Sequence, residues 1–133
     1  MPESYALPPQ QFEAVSALPG PARYKHFVSR VADWQYVWGL RNESGWVAAG
    51  DDIGNSGFPV WPHPDYATAC ASGEWGGNVP TPIEVHEFID NWLPNMADKG
   101  VLVAVFPTPL LRGVMVTAVQ LQDHIHAELS QIE

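Results

Sequence analysis

The chain reads as a single α+β domain, a small, mainly antiparallel sheet of about five strands with about five helices packed against it. Three observations predict this. Apolar residues recur at helical spacing in separated stretches; aromatic and β-branched runs lie between them; and clusters of Gly, Pro, Asn and Asp mark each change of period. With 133 residues, 46% hydrophobic and 16% charged, the chain is long enough for one core and too apolar for disorder. No repeat, linker or low-complexity tract divides residues 1–133.

Residues 1–8, "MPESYALP", read as a frayed, flexible arm. "PQQFEAVSAL" predicts a short helix ended by "LPGP" at 18–21, and Pro21 suits the first turn of a second helix. On that helix Tyr24, Phe27, Val28, Val31 and Trp34 recur at spacings of three and four, so they share one face. After Trp34 the period changes. "YVWGLR" (36–41) and "GWVAAG" (45–50) predict a hairpin around "NESG", and "DDIGNSG" (51–57) a further turn. "FPVW" (58–61) is a third strand. Pro59 lacks an N–H, so this strand runs along an edge or meets its neighbour irregularly.

In "WPHP" (61–64) neither proline can donate to a ladder, and each disfavours helix in the residue before it. The segment predicts a strand-to-helix corner, with Trp61 closing the strand, Pro64 opening a helix over "DYATACA", and His63 at the surface. "SGEWGGNVP" (72–80) reads as loop, and "TPIE" (81–84) as a capping box. The helix it opens would bury Val85, Phe88, Ile89 and Trp92, with Pro94 interrupting or kinking it. "VLVAVFP" (101–107) is apolar enough for a strand buried on both faces. "TPLLRG" is a turn, "VMV" (114–116) a short strand, and "TAVQ" a second capping box. It opens a helix whose inward stripe is Leu121, Ile125, Leu129 and Ile132.

Charge narrows the function classes. The net charge is −9, and between Glu43 and Asp98 there are nine carboxylates and no Lys or Arg. Such a surface repels phosphate backbones, which argues against nucleic acid as partner. It would favour a protein partner with a basic face, but the plainer reading, and the preferred one, is a solvated acidic surface. One cysteine, Cys70, excludes an internal disulfide and a Cys-rich zinc site; flanked by small residues, it reads as a buried hydrophobe. With no long apolar run and no signal-peptide pattern, the chain is expected to avoid the membrane and remain cytoplasmic.

Taken together, "YKHFVSRV", "VWGL", "GWV" followed by acids, "PVWPHPDYA", "EFIDNWLP" and "VAVFPTP" resemble the bacterial DUF2750 family of uncharacterised proteins, over about residues 24–121. The resemblance implies no activity. A looser, fold-level likeness to SseB-like domains rests on a similar alternation of strands, "P-V-aromatic" and helix, and implies nothing about function.

Six tryptophans are the outlier of the composition. Trp34, Trp38 and Trp92 sit among apolar neighbours and read as core. Trp46, Trp61 and Trp75 lie beside turns and carboxylates, where a rigid aromatic ring can anchor a ligand or simply serve as scaffold. Asp51 and Asp52 adjoin in a turn, but adjacent extended residues point to opposite faces, and "DDIGNSG" lacks the alternating ligands of a calcium loop. His124 and His126, two apart on a helix, diverge and do not share a metal. His86 and Asp90, four apart, read as an exposed helical pair. No nucleophile elbow or phosphate loop is present. The residues thus predict no catalytic group, metal or cofactor. The expected function is a non-catalytic protein-binding or regulatory module whose candidate surface comprises Trp46, Asp51, Asp52, Trp61, His63 and Trp75. The alternative is a small enzyme or small-molecule binder with a pocket near Asp51, Asp52, Trp61 and His63. Short terminal strands leave sheet edges through which a homodimer is open.

Overall fold

A computed structural model of the chain describes residues 6–50 and 56–132. In chain order these form α1 (Pro9–Ser16), α2 (Gly20–Trp34), β1 (Tyr36–Asn42), β2 (Gly45–Trp46), β3 (Ala49–Gly50), β4 (Ser56–Val60), α3 (Pro64–Cys70), β5 (Val79–Glu84), α4, β6 (Leu102–Val105), β7 (Val114–Val116) and α5 (Ala118–Ile132). Helix α4 is one run in three parts, α-helical over Val85–Glu87, π-helical over Phe88–Trp92 and α-helical again over Leu93–Lys99. The architecture is α+β, as the periodicity predicts.

Among the described residues seven strands form two sheets rather than one of about five, in the orders β2-β1-β5 and β3-β4-β6-β7. All pairs are antiparallel except β4 with β6, which run parallel from Gly57↔Leu102 to Val60↔Val105. The sheets meet at one point, where Trp38 and Trp61 exchange backbone hydrogen bonds of 2.9 and 2.8 Å. Pro59 explains why the contact stops there. It has no N–H to continue pairing toward β1, and the next β1 acceptor, the Leu40 carbonyl, takes the Val47 N–H instead at 3.0 Å. Of the two expectations for this strand, the irregular meeting is correct. An edge is not, because β4 lies between β3 and β6.

The expected loop and capping box at 72–84 are in part a strand. β5 pairs with β1 from Tyr36↔Glu84 to Arg41↔Val79. Pro80 and Pro82 are two apart, so both imide nitrogens face the same side of the strand, and β5 is an edge strand whose outer side needs no donor. The true cap is three residues later. Glu84 accepts from the N–H groups of His86 (3.0 Å) and Glu87 (3.1 Å). Burial would raise its pKa, but those N–H groups and the His86 ring outweigh this and hold its carboxyl below the usual range. The second expected box is present: Gln120 N–H donates to Thr117 Oγ1 (3.1 Å) and Thr117 N–H to Gln120 Oε1 (3.0 Å). The strand expected at 45–50 is also broken, into β2 and β3.

Phe27, Val28 and Val31 of α2, Phe88, Ile89 and Leu93 of α4, and Leu121, Ile125 and Leu129 of α5 meet the buried strand β6 in one core. Each such side chain contributes about 1.5–3 kcal/mol by leaving water. Ile132 departs from the expected stripe and is exposed. Trp38 is buried, while Trp34 and Trp92, also expected in the core, are half-buried. Leu7, within the expected flexible arm, is buried and donates its N–H to Asp65 Oδ2 at 3.1 Å. Arg23 is buried too. Its guanidinium donates to the carbonyls of Leu18 (2.8 Å), Phe106 (2.9 Å) and Arg112 (2.7 Å), tying the α1–α2 corner to the end of β6 and the turn before β7. Burial lowers its pKa.

Candidate functional site

The Pro-His-Pro corner is interior. Pro64 does open α3, but His63 is only 3% exposed, against the expected surface position. Its backbone is extended and its Nδ1 accepts from the Asp65 N–H at 3.1 Å, so the imidazole is the N-cap of α3. A capping side chain must lie over the first turn of its helix, and here that turn is covered by Trp34 and Tyr66, which pack edge-on against the imidazole at 5.7 and 6.2 Å. Trp61, weighed as either a ligand anchor or scaffold, is fully buried. Its Nε1–H donates to the Pro107 carbonyl at 2.8 Å and its ring meets the half-buried Trp75 edge-on. The Cys70 thiol donates to the same carbonyl at 3.4 Å, and burial pushes its pKa up to about 11, which keeps it a protonated core group. The corner is therefore scaffold. Asp51 and Asp52 lie outside the described residues.

Of the expected site residues that are described, Trp75 lines two smaller, more polar clefts, and Trp46 lines a larger, mostly apolar groove. In β2 it faces Arg41, whose guanidinium lies 5.2 Å from the ring centroid, a cation–π distance. Its indole lies over Gly39 of β1, where a Cβ would come within 2.8 Å of Cζ3. The glycine of "VWGL" is thus what lets the ring lie flat on the strand. Trp46 meets Phe58 at 5.5 Å and Trp92 at 5.2 Å, both T-shaped, and Phe58 meets Trp92 at 5.6 Å. These spacings are those of favourable aromatic pairs.

Trp92 owes its position to a proline. Pro94 has no N–H and would clash with the carbonyl four residues back in a regular helix. The chain widens instead: the Leu93 N–H donates to the Phe88 carbonyl, five residues back. This turns Trp92 out of the buried stripe of Phe88, Ile89 and Leu93, and onto Trp46 and Phe58. Beside the three rings opens a cavity of about 430 Å³, lined also by Asn91, Asn95, Met96, Lys99 and Val101. Its lining is mostly apolar, with two amides and one ammonium. The sequence placed Phe58 in a strand and Trp92 in the core; their meeting with Trp46 depends on pairing between distant segments. The available signal was Pro94 inside a helix-period stretch.

The histidines lie elsewhere. His86 Nδ1 is 2.7 Å from Glu84 Oε2. His124 Nδ1 shares a 2.5 Å hydrogen bond with the Tyr24 hydroxyl, whose pKa burial raises. Among the described residues no three metal-ligating side chains gather, and no helix is long and apolar enough to cross a membrane.

No curated protein and no solved structure matches the chain, so the looser likeness to SseB-like domains has no match behind it. The family model described as "Protein of unknown function (DUF2750)" matches residues 24–125, which take in both sheets, the buried corner and every residue of the aromatic groove. The chain belongs to the DUF2750 family.

Proposed function

We propose that the protein is a non-catalytic binding module whose recognition site is the groove beside Trp46, Phe58 and Trp92. The observation that carries this reading is a 430 Å³ cavity with three aromatic rings on one side and Asn91, Asn95 and Lys99 among its other walls. Ligand pockets fall in this size range and combine apolar walls with a few polar groups that orient what enters. Rings already fixed against one another lose little freedom when a ligand settles on them. The lining supports binding rather than chemistry. Among the described residues it holds no carboxylate, imidazole, hydroxyl or thiol, and a lone amine without a neighbouring base is not the arrangement nucleophilic catalysis requires. Recognition of a basic protein through the acidic corner has lost two anchors, Trp61 and His63, to the core.

The test is titration with a neutral aromatic probe, 3-phenylpropanol, followed by ligand-observed NMR. Saturable binding with a dissociation constant of about 1 mM is expected, near −4 kcal/mol. Asn95→Trp, which fills the groove from an exposed position, should abolish binding while leaving the urea midpoint unchanged. Undiminished binding by a folded Asn95→Trp protein would place the probe elsewhere and overturn the reading.

A further inference from the structure

The groove carries an electrostatic signature opposite to that of the whole chain. The protein has a net charge of −9 and only six Lys and Arg residues. Two of the six attend this cluster: Lys99 lines the cavity, and Arg41 lies 5.2 Å from the Trp46 ring. None of the described lining residues is acidic. Next to the ammonium, the Asn91 and Asn95 amides supply N–H donors four residues apart on α4. A cationic ligand would meet like charge at the mouth, and the rings spend their faces and edges on one another rather than enclosing an open cage. One term opposes an anion. Lys99 ends α4, where the helix carries about half a negative charge. Two of the last carbonyls are already taken by the N–H groups of Gly100 (3.2 Å) and Val101 (2.9 Å), and the full charge of Lys99 exceeds what remains.

From this we infer that the ligand of the groove is a small aromatic monocarboxylate, its ring against Trp46, Phe58 and Trp92 and its carboxylate directed to Lys99 and the Asn91 and Asn95 amides. The inference rests on the binding reading above and adds the ligand's charge and size. A cavity of about 430 Å³ holds one or two ring systems, not a folded surface. An exposed ion pair of this kind is worth up to about 1 kcal/mol, so the preference for the acid should be modest and salt-sensitive.

Three probes with one apolar body separate the outcomes: 3-phenylpropionate, 3-phenylpropanol and 3-phenylpropylammonium. At low ionic strength the carboxylate should bind about threefold to fivefold tighter than the alcohol, and the ammonium more weakly than both. Lys99→Met should erase the difference between acid and alcohol, and so should 0.5 M salt. Equal affinity for acid and alcohol, or a preference that survives Lys99→Met, would overturn the charge inference while the binding reading stands. Failure of all three probes to bind would remove both. A tripeptide, acetyl-Gly-Gly-Phe with a free carboxylate, binding more than about tenfold tighter than 3-phenylpropionate would overturn the small-molecule occupant in favour of a protein C-terminus.

Discussion

The side-chain amide of Gln122, on α5, donates to the main-chain carbonyl of Ile89, on α4, at 2.7 Å. In a regular helix that carbonyl would take the Leu93 N–H, but Leu93 donates to Phe88. In a π-turn it would take the N–H of residue 94, which is a proline and has none. Gln122 thus supplies from a neighbouring helix the donor that Pro94 withholds, and the same widened turn aims Trp92 into the groove. Removing the donor should cost about 1–2 kcal/mol, the penalty for a partly buried acceptor left unpaired. Urea midpoints of Gln122→Leu and wild type measure this. A change within about 0.5 kcal/mol, typical of a surface substitution, would mean that water satisfies Ile89 equally well.

Arg23 holds three carbonyls from three separate segments with one planar fork. Lysine keeps the charge but cannot reproduce the fork. Arg23→Lys should therefore destabilise by at least about 3 kcal/mol, since hydrogen bonds to charged groups are worth about 1.5–3 kcal/mol each. The denaturant midpoint measures the loss, with circular dichroism to confirm the fold. A loss below about 1 kcal/mol would show that the three carbonyls do not depend on the guanidinium.

His26 makes stability pH-dependent. Burial lowers its pKa, and the nearby Arg30 charge lowers it further. Its Nε2 is buried without a hydrogen-bond partner. The unfolded chain takes up a proton below about pH 6.5, whereas the folded chain resists until lower pH. The unfolded state then binds more protons, so stability is full above about pH 6.5 and falls as pH drops from there toward the folded pKa. His26→Gln should flatten this segment of the stability–pH curve relative to wild type. An unchanged slope would assign it to other groups.

The limits of what the sequence revealed follow from the range of each interaction. Helices α2 and α5 were legible because their stripes depend on residues three and four apart. The Thr117–Gln120 capping box is local too. By contrast, β5 was hidden because prolines in a strand are tolerated only at an edge, and being an edge is a property of the sheet. His63 misled for a similar reason. Two flanking prolines say that the chain turns, but whether Trp34 and Tyr66 cover the turn is decided by packing. The groove was legible only in pieces. Trp46 stood out beside a turn, whereas Phe58 and Trp92 looked like ordinary strand and helix residues until β4 and α4 brought them together.

Trp92 also distinguishes core from site. The fully buried Phe88 should cost about 3–5 kcal/mol on truncation to alanine, whereas the half-buried Trp92 should cost less. Indole N–H resonances assigned by single Trp→Phe variants then give the most direct test of the central claim. On titration with 3-phenylpropionate, the account predicts saturable shifts for Trp46 and Trp92 that share one dissociation constant, with the buried Trp61 unmoved. Shifts at Trp61 or Trp75 alone, with Trp46 and Trp92 unchanged, would contradict it.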